Sequence, residues 1–113
     1  LSGGECLRVS IARALLMHPA ILICDESTSS LDGPTRDGII ELLRRLMEER
    51  GLALIFISHD ERIIRGVADQ VMVMDKGKIV ETGAAADVID YPTHSVSKRL
   101  FAPYATFGGK GRP

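Results

Sequence analysis

Two apolar runs constrain this chain more than any other feature. Ile21-Leu22-Ile23-Cys24 and Leu52-Ala53-Leu54-Ile55-Phe56-Ile57 contain no polar residue, and each is short enough for a strand. A strand with one wet face alternates apolar and polar residues, whereas one covered on both faces of a parallel sheet reads as a continuous apolar run. Parallel neighbours need a crossover, usually helical, and the residues between the runs supply one. Pro34 suits the first helical turn, with Asp32 available as its cap. Ile39, Leu42, Leu43 and Leu46 then form one apolar stripe, Glu41 and Arg45 pair on the wet face, and Gly51 stops the helix.

The flanking residues extend this pattern. Residues 3 to 17 read as a helix, with Leu7, Ile11, Ala14 and Leu15 at helical spacing and His18-Pro19 at its end. Ser58 to about Arg65 is a short helix. Val71 to Met74 and Lys78 to Thr82 flank Asp75-Lys76-Gly77 as a β-hairpin. Ala84 to Ile89 is a further helix, and beyond Tyr91-Pro92 the periodicity fades toward Gly108-Gly109-Lys110-Gly111-Arg112-Pro113, which reads as a frayed tail. Strand, helix, strand, helix, strand argues a parallel α/β sheet with covering helices.

At 113 residues this is one domain at most. A 26% charged composition with net charge -1 gives no electrostatic case for nucleic acid or anionic membrane as a direct partner. No apolar run approaches the roughly 20 residues that span a bilayer, and no signal peptide is visible. Cys6 and Cys24 both sit in apolar stretches, so buried free thiols in a reducing, cytosolic compartment are expected rather than a disulfide. With His18 and His94 they form no metal-ligand cluster.

Three places carry candidate chemistry. The first apolar run ends on Asp25 and Glu26, at the carboxyl end of a buried strand, where open α/β sheets place ligands. Neighbouring residues on a strand point to opposite sides, so the two carboxylates can hold different posts. Two acids there can equally cap the next turn. Leu1-Ser2-Gly3-Gly4-Glu5 precedes the first helix. Ser2-x-x-Glu5 makes a capping box, and Gly3 and Gly4 leave helix N-terminal amides uncovered, which suits phosphate. Ser58-His59-Asp60 closes the second run, 33 residues beyond Glu26. Ser58-x-x-Glu61 also offers a capping box, so His59 is explicable without chemistry. An imidazole there can also donate near neutral pH without a permanent charge.

Taken in order, Leu1 to Glu5, Ile21 to Glu26 continuing into Ser27-Thr28-Ser29-Ser30-Leu31-Asp32, and Ser58-His59-Asp60 closely resemble the second half of an ATP-binding cassette (ABC) ATPase. They match its signature loop, Walker B strand with D-loop, and switch histidine. The resemblance covers the chain to about Leu100 and implies the C-terminal part of a parallel-sheet P-loop NTPase core, with a β-hairpin and C-terminal helices. Residues 1–90 would belong to the nucleotide-binding domain, and 91–113 to an extension and tail. The family's Gly-x-x-x-x-Gly-Lys-Ser/Thr loop is absent from this sequence, so these 113 residues alone are expected to be inactive. The strand that carries that loop would lie between Leu52 to Ile57 and Val71 to Met74.

The resemblance also implies roles. Ser2, Gly3, Gly4 and Glu5 would contact the γ-phosphate of ATP bound to the opposite subunit, with Ser2 and Gly4 as donors. Asp25 would reach Mg²⁺ through water, and Glu26 would polarise the attacking water. Leu31-Asp32 would be the D-loop at a dimer interface, where Asp32 can also cap a helix. His59 would hydrogen-bond the γ-phosphate. The sequence departs from the family pattern at Glu5, where Gln is usual, at Ser27 for Pro and at Ser30 for Ala. ATP and Mg²⁺ are the implied cofactors. The implied partners are a second ATP-binding subunit, transmembrane permease subunits and, indirectly, an extracytoplasmic solute-binding protein, with no nucleic acid and a peripheral place on the inner face of the cell membrane.

Within the family, Pro92, His94 and Leu100 agree with Pro-x-His-Pro-Tyr-Thr-x-x-Leu of the dipeptide, oligopeptide and nickel importers. Ser95, Val96 and Ser97 depart from it, and a surface helix after a proline turn reads equally well. The Cys cluster that holds iron–sulfur in some peptide-importer ATPases is missing, so no such cofactor is expected. The rival readings are a non-transport ABC ATPase of the DNA-repair or chromosome type, and an inactive, truncated interaction module.

Overall fold

A computed structural model describes residues 3–25 and 31–102, and the chain divides into two units, residues 1–67 and 68–113. The first contains α1 (Gly3–Leu15), β1 (Ile21–Asp25), α2 (Gly33–Arg50), β2 (Ala53–Ile57) and α3 (Glu61–Val67). The strands β1 and β2 pair in parallel, with Ile21 opposite Ala53 and Asp25 opposite Ile57, so α2 is the crossover that the two apolar runs required. Asp32 caps α2 by accepting from Thr35 N at 2.8 Å, Pro34 occupies its first turn, and Gly51 closes it in the left-handed conformation. Glu41 and Arg45 pair across one turn at 3.3 Å.

One continuous core lies on one face of this strand pair. Leu22 and Cys24 point into it beside Leu7 and Ile11 of α1, Ile39, Leu43 and Leu46 of α2, and Ile63 and Val67 of α3, while Leu54 and Phe56 pack at its margin. The opposite face is bare among the described residues: Ile23 is 62% and Ile55 49% exposed, with Ile21 and Ile57 similarly open. The expectation of strands covered on both faces therefore holds for one face here, because α1, α2 and α3 all feed the same core.

Two local expectations are corrected. Cys6 is exposed and only Cys24 is buried. The helical step of about 100° carries Cys6 off the stripe that buries Leu7. The Ser58–Glu61 capping box does not form. Ser58 Oγ accepts from Asp60 N at 2.9 Å, Asp60 Oδ1 accepts from Arg62 N at 3.1 Å, and Glu61 turns to Arg65 at 2.6 Å. Asp60, a better cap than Glu because its shorter side chain reaches back, takes over the start of α3.

In the second unit β3 (Gln70–Asp75) and β4 (Lys78–Ala84) form the expected hairpin, followed by α4 (Ala85–Asp90) and α5 (Ser95–Phe101). Lys76 and Gly77 both carry positive φ, 50° and 79°, as a type I′ turn demands. A bulge at Val80 shifts the register, so Val73 faces Glu81 while Met74 faces Ile79. Val71 and Val73 are buried, together with Val88 and Ile89 of α4 and Phe101 of α5. The α5 helix forms where sequence periodicity had faded. The expected tail, 108–113, lies outside the described residues. No helix among the described residues is long and apolar enough to cross a membrane.

Candidate functional site

The parallel register brings candidate residues to one sheet edge. Asp25 is the last residue of β1 and lies opposite Ile57, the last of β2. His59, exposed, follows Ile57 by two residues. A carboxylate and an imidazole separated by 34 positions in sequence thus emerge at the same carboxyl end, one closing β1 and the other in the loop after β2. Asp25 lies on the open face of β1 with Ile21 and Ile23, while Cys24 beside it points into the core, where burial pushes its thiol pKa up. Cys24 is therefore a packed, protonated neighbour of the candidate carboxylate rather than a nucleophile.

Asp32 is held by a different device. Its carboxylate caps α2, and the hydrogen bonds from Thr35, assisted by nearby Arg36, hold it below the usual carboxylate range. The cap stays charged and formed through the neutral range.

The N-terminus of α1 meets that same turn. Gly4 is buried, and a Cβ there would collide with the Thr35 methyl of α2. From sequence alone, uncovered amides are the reason for the glycine pair. The structure adds close helix packing as a separate reason for Gly4. Gly3 remains exposed at the opening of a helix of 13 residues, and Glu5 is exposed. Ser2 and Glu26 lie outside the described residues.

The chemistry of this edge suits Mg²⁺. Asp25 offers one hard oxygen ligand at a strand end. A cation held by one carboxylate, with water and substrate phosphate completing its shell, is what Mg²⁺ prefers. Asp25 would hold it.

In the second unit the carboxylate of Glu81 accepts from Thr93 N at 3.1 Å and from His94 N at 2.9 Å. Burial opposes its ionisation, but the His94 amide, the nearby Ser97 hydroxyl and the Thr93 groups outweigh that and hold its pKa down. The buried Ser97 hydroxyl makes no well-formed hydrogen bond of its own. His94 caps α5 through Nδ1, which accepts from Val96 N at 3.1 Å and so places the proton on Nε2. Sequence reasoning missed both Glu81 and this cap, since His is not among the preferred cap residues.

The family model described as "ABC transporter" matches residues 1–29. A solved dimeric structure, the ATP-binding cassette MJ0796 in a post-hydrolysis state with ADP and Pi, is similar to this chain with a TM-score of 0.66 and 34% identity, over 75% of this chain and 36% of that one. The chain is part of an ABC transporter ATP-binding domain. Among individual relatives, the methionine import ATP-binding protein MetN of Staphylococcus saprophyticus is 48% identical over 100 residues, 88% of this chain. MetN 2 of Staphylococcus epidermidis is 46% identical over the same length. The chain spans 29% of the length of these relatives.

The leaning toward dipeptide, oligopeptide and nickel importers finds no support in these relatives, which are named as methionine importers. Two residues that suggested that group have local work to do. Pro92 precedes the Glu81-bound amides and His94 caps α5, so their occurrence follows from the turn into a helix.

Proposed function

We propose that these residues form the C-terminal part of the ATP-binding subunit of an importer, in which ATP is bound and hydrolysed between two such subunits. The relatives' names favour methionine-type solutes over peptide or nickel. Residues 1–90 belong to the nucleotide-binding domain and 91–113 to its extension. A second ATP-binding subunit and membrane permease subunits are its partners, with a solute-binding protein acting indirectly, and its place is the cytoplasmic side of the membrane. The observation that carries the reading is the convergence of Asp25, the His59 loop and the α1 and α2 N-termini in one unit.

Phosphoryl transfer leaves the protein mainly positioning and charge stabilisation. Glu26 orients the attacking water, and His59 donates an N–H to the γ-phosphate. Ser2 and the amides at Gly3 and Gly4 close on the nucleotide of the opposite subunit, with Glu5 turned toward its own helix start, and Asp32 lies at that interface. Asp25 would hold Mg²⁺, which would supply positive charge to stabilise the transferred phosphoryl group.

The test is a complete ATP-binding subunit carrying Glu26→Gln or His59→Ala. Glu26→Gln should trap ATP-bound dimers with nucleotide affinity nearly intact, and His59→Ala should slow turnover more than binding. Hydrolysis by Glu26→Gln within about threefold of the parent, when losing a catalytic group typically costs 10²-fold or more, rejects the assignment.

A further inference from the structure

We infer that Arg36 is a positioning residue for His59, acting through Asp60; this rests on the reading of His59 given above. Arg36 lies one turn into α2, where its N–H donates to Asp32 O at 2.9 Å. Its guanidinium Nη1 reaches Asp60 Oδ2 at 3.4 Å, with the two side chains only 18% and 16% exposed. The other oxygen of Asp60 caps α3 through Arg62 N, its own N–H is held by Ser58 Oγ, and its carbonyl accepts from Ile64 N at 3.1 Å. His59 is therefore bracketed by Ser58, whose hydroxyl oxygen accepts from Asp60 N, and by Asp60, whose N–H, carbonyl and both carboxylate oxygens are engaged, and Arg36 ties that bracket to the capped turn Asp32–Arg36. The same turn carries Thr35, on which Gly4 packs. One helical turn thus links the signature helix, the D-loop aspartate and the histidine loop.

Magnitudes select this pair over its neighbours. The Asp37–Arg62 pair, at 3.2 Å, is more than half exposed on both sides, and such pairs contribute little. A largely desolvated pair interacts more strongly, and removing one partner strands the other charge. A general role in holding α2 to α3 is also covered elsewhere, because Arg44 Nη1 donates to Gly66 O at 2.7 Å. Loss of Arg36 should therefore be felt locally, at the histidine loop. The Arg36 Nε atom is buried without a partner among the described residues, and its Nη1 is held by the ion pair with Asp60.

The experiment uses the complete ATP-binding subunit. Arg36→Met keeps roughly the length of the side chain and removes the ion pair that fixes Asp60 in its cap on α3. It should lower kcat about tenfold, the order expected when a reacting group is misplaced by a fraction of an ångström, with KM for ATP within twofold. Arg36→Lys should recover at least half of the parent rate, and Asp37→Asn should match the parent. In a His59→Ala background, Arg36→Met should add no further loss. Hydrogen exchange at the amides of residues 60–62 should rise in Arg36→Met and not in Asp37→Asn. A kcat within twofold of the parent, an equal loss in the His59→Ala background, or unchanged exchange at 60–62 would each overturn the inference. If His59→Ala itself leaves turnover intact, the reading of His59 falls, and the exchange measurement still decides whether Arg36 fixes the loop.

Discussion

At the scale of single residues, Gly4 separates two roles that the sequence merges. In the sequence it offers a helix N-terminal amide suited to phosphate, while in the structure this buried residue's missing Cβ makes room for the Thr35 methyl. Gly4→Ala in the complete subunit should force α1 from α2 and cost about 1–3 kcal/mol, as overpacking of a close contact does. Thr35→Ser removes the methyl and keeps the backbone N–H that Asp32 accepts. The double variant should therefore regain most of the lost stability in a chemical melt. If Thr35→Ser restores nothing, the packing account of Gly4 is wrong.

At the scale of elements, α5 depends on a carboxylate two elements away. Glu81 sits on β4 and binds the two amides that open the helix. Glu81→Gln should lower stability by about 1–2 kcal/mol, toward the low end for hydrogen bonds to a charged group because Glu81 is only half-buried, with faster exchange confined to residues 93–101. The folded pKa of Glu81 is depressed below the ordinary 4.5. Its contribution is therefore complete above about pH 4.5 and is lost as pH falls through the lower folded value. An acid titration of the variant should be flatter than the parent's in that window. The elements whose determinants are local were legible in sequence: β1 and β2 from apolar runs, α2 from Pro34, Asp32 and its stripe, the hairpin from Lys76-Gly77. Asp25, Asp32 and His59 were legible as candidates because each follows or opens such an element. The contacts Arg36–Asp60 and Glu81–His94 were not, because partners 24 and 13 residues apart are brought together by packing that no periodicity records. Cys6 was misread because one helical step decides burial.

At the scale of the whole molecule, the open face of β1 and β2 and the absent phosphate loop act together. The isolated 113 residues should release no phosphate from ATP and Mg²⁺ above a Glu26→Gln control. They should also bind a hydrophobic dye and self-associate, since Ile21, Ile23, Ile55 and Ile57 form a contiguous exposed apolar face. Ile23→Thr with Ile55→Thr should reduce both signals while leaving the buried face unchanged. Dye binding equal to that of the parent would place the sticky surface elsewhere.

The parallel register has a consequence for how this chain tolerates changes in length. A glycine inserted after Gly51, on the surface between α2 and β2, leaves the pairing of Asp25 with Ile57 available and should be absorbed by the connection. The same glycine after Ile57 pushes His59 one residue, about 3.3 Å of extended chain, past the level of Asp25. Turnover of a complete subunit should survive the first insertion and be lost with the second, so the spacing from strand end to histidine is the dimension of this molecule that cannot be edited.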